Sequence, residues 1–354
     1  MEPKRILIFE LNWLGDILFS LPFLRAIRGR FPDAYITCVV VPRYIDLLVH
    51  NPWINDVHAL SDNNGISSLG EKLAFINMIR KENYDTCFLL KPSRTKTVMA
   101  VLAGITERIG FAGKKTPLTQ EVEMPSGNFH RADTILALAG AVGVQEADGT
   151  YEYFFSEEDA AHAADIIHKE GKGARAVTNS KEICNRARRI VAVNPGGNWE
   201  AKRWPVENFI SLAKQILSTF NNVEIMLTGA EKDIPLTLRI VSEVNDSRCY
   251  TLAGKTGLNE LAALFKKSDV VISADSGPLH LASAAGATTI GVFGPTSHKI
   301  TGPRGKGRNI VLSKDSECAV PCYIDECDRD YECMKAVTVD EVFRAAEKVL
   351  LEGE

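Results

Sequence analysis

The sequence predicts an α/β fold with two Rossmann-like, doubly wound domains. Short apolar runs alternate with amphipathic stretches over most of the 354 residues, as in domains whose parallel strands are joined by helices. This alternation is interrupted over residues 171–188, where charge and glycine replace the apolar pattern, and then restarts. A chain of this length is also longer than a single hydrophobic core usually accommodates. We therefore expect domains at residues 1–175 and 176–335, joined by a linker and facing each other across a cleft.

The composition narrows the class of protein. A hydrophobic fraction of 45% and a charged fraction of 24% are ordinary for a soluble globular chain. The net charge of −4 argues against nucleic-acid binding, which requires a basic face. The apolar stretch near the start contains Glu10 and lacks a small-residue cleavage site, and no apolar run reaches transmembrane length. We therefore expect a cytoplasmic protein whose eight cysteines are mostly reduced.

The first half begins with a buried strand, Arg5–Phe9, and the loop that follows it leads into an apolar helix over Ile17–Ile27. Ligands of open parallel sheets bind beyond the carboxyl ends of the strands, so this loop is a candidate site. It ends at Asp16, which is either a reactive carboxylate or only a helix cap favoured by the dipole. The pattern then predicts strands at 35–41, 84–90 and 108–111, and helices at 69–81, 98–104, 131–142 and 157–169.

The second half restarts with a strand at 190–193. Further strands are predicted at 223–227, 270–274 and 288–293, with helices at 206–220, 258–266 and 339–351. Between Asp269 and Pro295 the pattern is a buried strand, a Ser/Gly turn, a helix and a second strand. A turn before a helix offers backbone N–H groups and the helix dipole to an anion, and Pro278 suits the first helical turn. An ordinary βαβ turn is the alternative interpretation.

Four loops of this half, each following a strand, carry glycine, hydroxyl, lysine and glutamate side chains. Their glycines allow close backbone approach, and Lys202 and Glu231 suit the phosphates and the ribose of a nucleotide diphosphate. A plain solvated lysine is the alternative for Lys202. Neither GxGxxG nor GxxxxGK[ST] occurs, which argues against a dinucleotide oxidoreductase or a P-loop enzyme.

Three motifs together resemble glycosyltransferase family 9, the ADP-heptose:lipopolysaccharide heptosyltransferases. They are NWLGD at 12–16, KRWP at 202–205, and DSGPLH at 275–280 followed by GPT at 294–296. The motifs occur in the family's order, and the resemblance spans nearly the whole chain. The NWLGD start is closer to the type II enzymes than to type I.

The resemblance implies a GT-B architecture with an N-terminal acceptor domain and a C-terminal donor domain. It also implies an inverting, metal-independent transfer without a cofactor, since the ADP-sugar is a substrate. Asp16 then corresponds to the catalytic base and Lys202 to the group that meets the charge of the leaving ADP. His280 either orients phosphate or packs inside the helix. The implied donor-binding residues are Gly196, Gly197, Lys202, Glu231, Thr256, Asp275, Ser276, Gly277, Leu279 and His280.

The acceptor that the resemblance implies is the anionic, lipid-bearing inner core of lipopolysaccharide, for which basic groups at strand ends are suited. The candidates are Gly15, Arg94, Lys96, His130 and Arg131, each of which is equally well explained as a solvated loop residue. We expect a monomer in peripheral contact with the inner face of the membrane, although no basic amphipathic helix stands out. A different nucleotide sugar or acceptor, a GT-B nucleotide-sugar epimerase, and a non-catalytic nucleotide-binding protein are the alternatives.

The C-terminal segment holds four cysteines, Cys318, Cys322, Cys327 and Cys333, without the tight CxxC pairs of a strong zinc motif. A zinc site, iron–sulfur ligation and disulfides all remain open. Members of the resembled family exist without these cysteines, which favours a structural role. The last segment, residues 336–354, is expected to be a helix that packs back on the N-terminal domain.

Overall fold

The computed structural model describes residues 2–62, 69–113, 116–171, 188–315, 318–322 and 327–352. The chain divides into two compact units, Met1–Phe154 and Phe155–Glu354. The division therefore falls before helix Glu157–Glu170, whereas the sequence predicts it after that helix. The helix joins the second unit because it packs against helix Leu258–Lys267 of that unit. The predicted linker at residues 171–188 lies mostly outside the described residues.

The described part of the first unit is built on a parallel sheet of six strands. These are β1 (Arg5–Phe9), β2 (Tyr35–Val40), β3 (Asp56–Ala59), β4 (Thr86–Leu89), β5 (Glu107–Phe111) and β6 (Gln120–Val122). Their order across the sheet is β3-β2-β1-β4-β5-β6, so β1 lies between β2 and β4. Four of the five residues of β1 are buried, as the apolar run predicts for a central parallel strand.

The helices of the first unit are α1 (Leu14–Arg30), α2 (Leu69–Lys81), α3 (Arg94–Leu102) and α4 (Arg131–Leu136). Helix α1 begins earlier than predicted, so Asp16 lies in its first turn rather than in the loop before it. The predicted helix at 131–142 is α4 followed by a 3-10 turn, Ala137–Val142. That turn ends at Gly143, whose φ of 86° is a left-handed conformation that glycine adopts without strain.

The described part of the second unit contains a second parallel sheet of six strands. These are β7 (Arg189–Asn194), β8 (Val223–Leu227), β9 (Cys249–Thr251), β10 (Val270–Ala274), β11 (Thr289–Phe293) and β12 (Asn309–Ser313). The order is β12-β11-β10-β7-β8-β9. The chain runs outward from β7 on one side and returns to β10 on the other, so the point where the strand order reverses lies between β7 and β10.

The helices of the second unit lie before, between and after these strands. They are α5 (Glu157–Glu170), α6 (Val206–Thr219), α7 (Ile234–Val244), α8 (Leu258–Lys267), α9 (Gly277–Ala284), α10 (His298–Thr301), α11 (Glu332–Lys335) and α12 (Val339–Glu352). Among the helices of the described residues, none combines the length and the apolarity that crossing a bilayer requires.

The four strands that the sequence analysis missed, β3, β6, β9 and β12, are the edge strands of the two sheets. They are short and partly exposed, with burial patterns that include exposed or half-buried positions throughout most of their length. An edge strand is not covered on both faces, so it lacks the continuous apolar run by which the central strands were predicted.

The final helix α12 is present as predicted, and its packing on the N-terminal domain stays a prediction. Its apolar stripe, which includes Val342, Phe343 and Ala346, belongs to the core of the second unit and packs against α6. The segment before it is anchored in the same unit, because the buried Trp204 indole donates a hydrogen bond of 2.9 Å to the carbonyl oxygen of Val337.

Candidate functional site

The loops that follow β7, β8, β10 and β11 lie at the carboxyl edge of the second sheet, because all these strands are parallel. Gly196 follows β7, Glu231 follows β8 and Asp275 follows β10. The reversal of strand order between β7 and β10 is the place where open α/β sheets bind ligands. The structure therefore places these three predicted donor-binding residues at one end of one sheet.

Asp275 is the centre of a buried polar network at this edge. Its side chain is 3% exposed, and one carboxylate oxygen, Oδ2, accepts hydrogen bonds from Lys202 Nζ at 2.8 Å and Thr296 Oγ1 at 2.6 Å. The other oxygen, Oδ1, lies 3.1 Å from His280 Nε2. Burial alone would raise the pKa of this carboxyl, but His280 and Lys202 hold it well below its usual range. Asp275 is therefore an ionised anchor for its neighbours.

Lys202 is held as a fixed cation beside that anchor. It ends the 3-10 turn Glu200–Lys202, and its ammonium lies between Asp275 and the face of Trp199, 5.3 Å from the ring centroid. About a quarter of the side chain, 24%, remains exposed. An ammonium carries three donors, and the bond to Asp275 uses one of them. The group can therefore receive an anion without leaving its anchor.

The N-terminus of α9 begins directly after Asp275. Ser276 precedes the first turn in an extended conformation without a side-chain cap, and its hydroxyl lies 3.0 Å from Ser273 Oγ. The N–H groups of Gly277 and Leu279 belong to the first turn and have no acceptor within the helix, whereas Pro278 has no N–H. The Leu279 side chain is fully buried, so only its backbone can face a ligand.

The sequence left two alternatives for His280, phosphate orientation and inward packing, and the structure shows the ring packed inward. The ring is 4% exposed, and its Nε2 lies 3.1 Å from Asp275 Oδ1. It is therefore placed to hold Asp275 rather than to reach a donor phosphate directly.

The two glycines after β7 differ in what they permit. A Cβ on Gly196 would lie 2.7 Å from the carboxyl atoms of Asp233, a buried residue that the sequence analysis did not single out. Position 196 therefore has to be glycine, because any side chain would collide with Asp233. The Asp233 carboxylate also accepts a hydrogen bond from the N–H of Ala230 at 3.0 Å. A Cβ on Gly197 would meet nothing closer than 3.9 Å, so only this glycine leaves open space beside the backbone.

The remaining predicted donor residues are not part of the Asp275 network. Glu231 is exposed at the start of the 3-10 turn Glu231–Asp233, where a ribose hydroxyl could reach its carboxylate. Thr256 is half-buried in the loop between β9 and α8.

In the first unit, the loop after β1 is held by basic side chains from the segments after both neighbouring strands. Lys96 Nζ donates to the carbonyl oxygen of Glu10 at 2.9 Å and to Asn12 Oδ1 at 3.4 Å. Arg43 Nη2 donates to the carbonyl oxygen of Asn12 at 3.1 Å. Lys96, predicted to bind an anionic acceptor, is therefore engaged within the unit, and burial lowers its pKa although Glu10 opposes that shift.

Glu10 is a buried carboxyl that the sequence analysis used only to exclude a signal peptide. It is 1% exposed; Oε2 accepts hydrogen bonds from Ser20 Oγ at 2.9 Å and from the N–H of Leu11 at 3.3 Å, whereas buried Oε1 has no hydrogen-bond partner. Burial raises its pKa to about 7, although Ser20, Leu11 and Lys96 act to lower it. A charged residue directly after an apolar strand was the signal that could have identified it.

Asp16 and Gly15 lie in the first turn of α1, and both are half-buried. No side chain caps this helix, whose N-cap residue Trp13 is 55% exposed with the Arg43 guanidinium 5.7 Å from its ring. The helix dipole favours a negative charge in the first turn. The loop held by Lys96 and Arg43 therefore leads directly into the turn that carries the predicted base.

The other predicted acceptor residues divide into exposed and buried ones. Arg94 and Arg131 are exposed at the starts of α3 and α4. His130 is 2% exposed, its Nδ1 accepts the N–H of Ala132 at 3.1 Å, and its ring packs edge-on against Phe19. His130 is therefore a buried helix cap, a position that does not favour its predicted role as an acceptor ligand.

Comparison with known proteins connects this arrangement to one family. A family model described as glycosyltransferase family 9 (heptosyltransferase) matches residues 72–329. The chain is 24% identical over 316 residues to lipopolysaccharide heptosyltransferase 2 of Escherichia coli K12, covering 87% of each protein. Among solved structures it is similar to a family 9 glycosyl transferase from Veillonella parvula, with a TM-score of 0.83 and 21% identity over 99% of this chain and 97% of that one. It is also similar to the E. coli ADP-heptose lps heptosyltransferase II, with a TM-score of 0.78, 22% identity and 99% coverage of both chains.

Proposed function

Because the chain belongs to glycosyltransferase family 9, we propose that it transfers a heptose from ADP-heptose to the inner core of a lipopolysaccharide. Its two parallel six-stranded sheets with alternating helices are those of the GT-B fold. The donor and the acceptor in this proposal come from the E. coli relatives, whose names specify ADP-heptose and lipopolysaccharide.

The observation that carries the proposal is the Lys202–Asp275 pair beside the N-terminus of α9. A diphosphate leaving group gains negative charge as the bond to the sugar breaks, and preorganised donors stabilise that charge. Lys202 is held 2.8 Å from a buried carboxylate, so its ammonium need not be ordered when the donor binds. The N–H groups of Gly277 and Leu279 add donors from the first helical turn.

On the acceptor side, we propose Asp16 as the general base. A carboxylate can take the proton from an acceptor hydroxyl as the oxygen attacks the anomeric carbon. A single in-line displacement inverts the anomeric centre and needs only one base. The basic residues Arg94 and Arg131, which are exposed, are the proposed contacts for the anionic groups of the acceptor.

We further propose that the reaction needs neither a catalytic metal nor a cofactor, because Lys202 and the helix N–H groups can neutralise the departing ADP. The enzyme would act as a monomer, in peripheral contact with the inner face of the membrane that carries its acceptor. Sedimentation of the purified chain, alone and with vesicles that contain the acceptor, tests both of these points.

The experiment that tests the activity is a donor panel. The chain is incubated with ADP-heptose, other ADP-sugars and UDP-sugars, together with extracted lipid A–core acceptors, and the lipids are analysed by mass spectrometry. We expect the mass of one heptose to be added from ADP-heptose, with the same yield in the presence of EDTA. Preferential transfer from a UDP-sugar would contradict the proposed donor. Transfer that is lost with EDTA and restored by added Mg²⁺ would contradict the metal-independent chemistry.

The two catalytic roles are separated by Asp16→Asn and Lys202→Ala. Asp16→Asn should lower kcat by roughly two to four orders of magnitude and leave ADP affinity unchanged, because it removes only the base. Lys202→Ala should weaken ADP binding and lower kcat together, since the ammonium interacts with the diphosphate both in the bound ground state and in the transition state. Asp133→Asn, in the first turn of α4, is the matched control for a first-turn carboxylate. Near-wild-type turnover in Asp16→Asn would show that Asp16 is not the base and only stabilises the N-terminus of α1.

A further inference from the structure

Four thiols of the second unit line one small cavity. Cys318, Cys322 and Cys327 are half-buried in the segment before α11, and Cys333 lies within α11 and is 8% exposed. The cavity has a volume of about 30 Å³, room for one or two water-sized particles. Four cysteines that lie up to fifteen positions apart thus line the same partly open cavity, an arrangement that the cysteine spacing alone did not establish.

The surroundings of these thiols include one cation. Arg329 Nη1 lies 3.7 Å from Cys318 Sγ, but that guanidinium also pairs with Glu332 at 2.9 Å. Four thiolates around one cavity would carry more negative charge than this single guanidinium offsets, so they would need a further positive partner.

We propose that the four cysteines hold one thiophilic metal ion, zinc or iron, as thiolates. Four sulfur ligands complete a tetrahedral site, which is the closed form of a structural rather than a catalytic centre.

Metal binding would change the local arrangement of this segment. Among the described residues, no three His, Cys, Asp or Glu side chains already form a group that could hold an ion. The thiols therefore have to turn into the cavity that they line, and binding becomes coupled to the ordering of the segment. Because the ligands must lose their protons, metal affinity should increase with pH.

The position of the cavity connects it to the Asp275 network. Its wall includes Ala201, which precedes Lys202, and Pro295, which precedes Thr296. The N–H of Cys322 donates to the carbonyl oxygen of Pro295 at 2.7 Å. The ion would thus brace the two backbone segments whose next residues bind the Asp275 carboxylate, without itself reaching the reacting groups.

The test is the metal content of the full-length chain, purified under reducing conditions without a metal-affinity resin. Elemental analysis should find one zinc or one iron per chain, and iron in a four-thiolate site is distinguished from zinc by its visible absorption. Cys322→Ser and Cys327→Ser should lose the metal, whereas Cys249→Ser, a buried thiol in β9, should keep it. A strong chelator should lower the Tm of the wild type and of Cys249→Ser but not that of the first two variants.

A second measurement covers the case in which the cysteine variants do not fold. Wild-type protein is treated with chelator, incubated with Zn²⁺ or Fe²⁺, and exposed to an alkylating reagent, and its peptides are then analysed by mass spectrometry. We expect the metal to protect these four cysteines together. The proposal is overturned if neither metal binds or protects them, if the Cys322→Ser variant keeps its full metal content, or if intact mass shows that the thiols are paired as disulfides.

Discussion

The buried carboxyl of Glu10 should make the stability of the first unit depend on pH, and Glu10→Gln should remove that dependence. In the folded chain its pKa is raised to about 7 from an ordinary value of 4.5, with burial as the largest cause. Between these two values the native state holds a proton that the unfolded chain releases. Rising pH therefore destabilises the native state through this window, and the cost is complete above pH 7.

The size of the effect follows from the pKa shift. At about 1.36 kcal/mol per pKa unit, the shift corresponds to about 3 kcal/mol of stability lost between pH 4.5 and pH 8. Glutamine has the same shape, stays neutral, and can still accept the hydrogen bond from Ser20 Oγ. A difference of this size moves the Tm of a unit of about 150 residues by roughly 6–12 °C.

The assay is thermal unfolding of the full chain from pH 5 to pH 8.5. Glu10→Gln should unfold close to the wild type at pH 5 and at a higher temperature by roughly 6–12 °C at pH 8.5. Glu71→Gln, an exposed carboxylate of the same unit, is the control and should not change the shape of the wild-type curve. A difference between Glu10→Gln and the wild type that is the same at every pH would show that Glu10 does not titrate in this range.

Four further substitutions test contacts near the carboxyl ends of the strands in the two sheets. Asp275→Asn should cost about 3–5 kcal/mol in thermal or urea unfolding at pH 7, because it leaves buried donors without their anion. Because the pKa of this carboxyl is low, Asp275 is ionised at neutral pH, and the difference in stability should shrink under strongly acid conditions. Lys96→Met should move the stability midpoint of Glu10 to higher pH, since it removes a charge that lowers the pKa of that carboxyl; an unmoved midpoint in the same pH series would contradict the contact. Gly196→Ala should lower stability by about 1–3 kcal/mol through overpacking, whereas Gly197→Ala should not, and equal effects in urea unfolding would contradict the difference in space.

The sequence predicted the central strands and the loops that follow them because these parts of the fold have local signals. β1 and β10 are buried on both faces, so each is a short continuous apolar run bounded by polar residues. Parallel pairing then brings the loops after them to the same edge without any knowledge of tertiary contacts. For the same reason the edge strands were missed, since a half-exposed strand such as β6 has no such run.

The partners of the charged side chains could not be predicted in the same way. Asp275 and Lys202 are 73 positions apart, and Lys96 reaches the carbonyl oxygen of Glu10 across 86 positions. Sequence patterns indicate that a charge lies near a strand end, but which group it contacts depends on how loops from different strands close over one another. His130 illustrates the consequence, because a residue type suited to an anionic acceptor caps a helix inside the unit instead.

In both units, basic side chains near the carboxyl ends of the strands are held by contacts within their own unit. These contacts limit which of the basic side chains can meet a substrate. Lys96 and Arg43 donate hydrogen bonds to backbone carbonyl oxygens of the loop before α1, and these bonds position the turn that carries Asp16. Lys202 is also bound within its unit, but its partner is a carboxylate and its side chain keeps 24% of its surface exposed. A phosphate can therefore approach Lys202 while Asp275 still holds it, whereas Lys96 already donates two of its three hydrogen bonds to the loop. We therefore expect Lys202 rather than Lys96 to meet a substrate, and Lys96 to position the turn that carries Asp16.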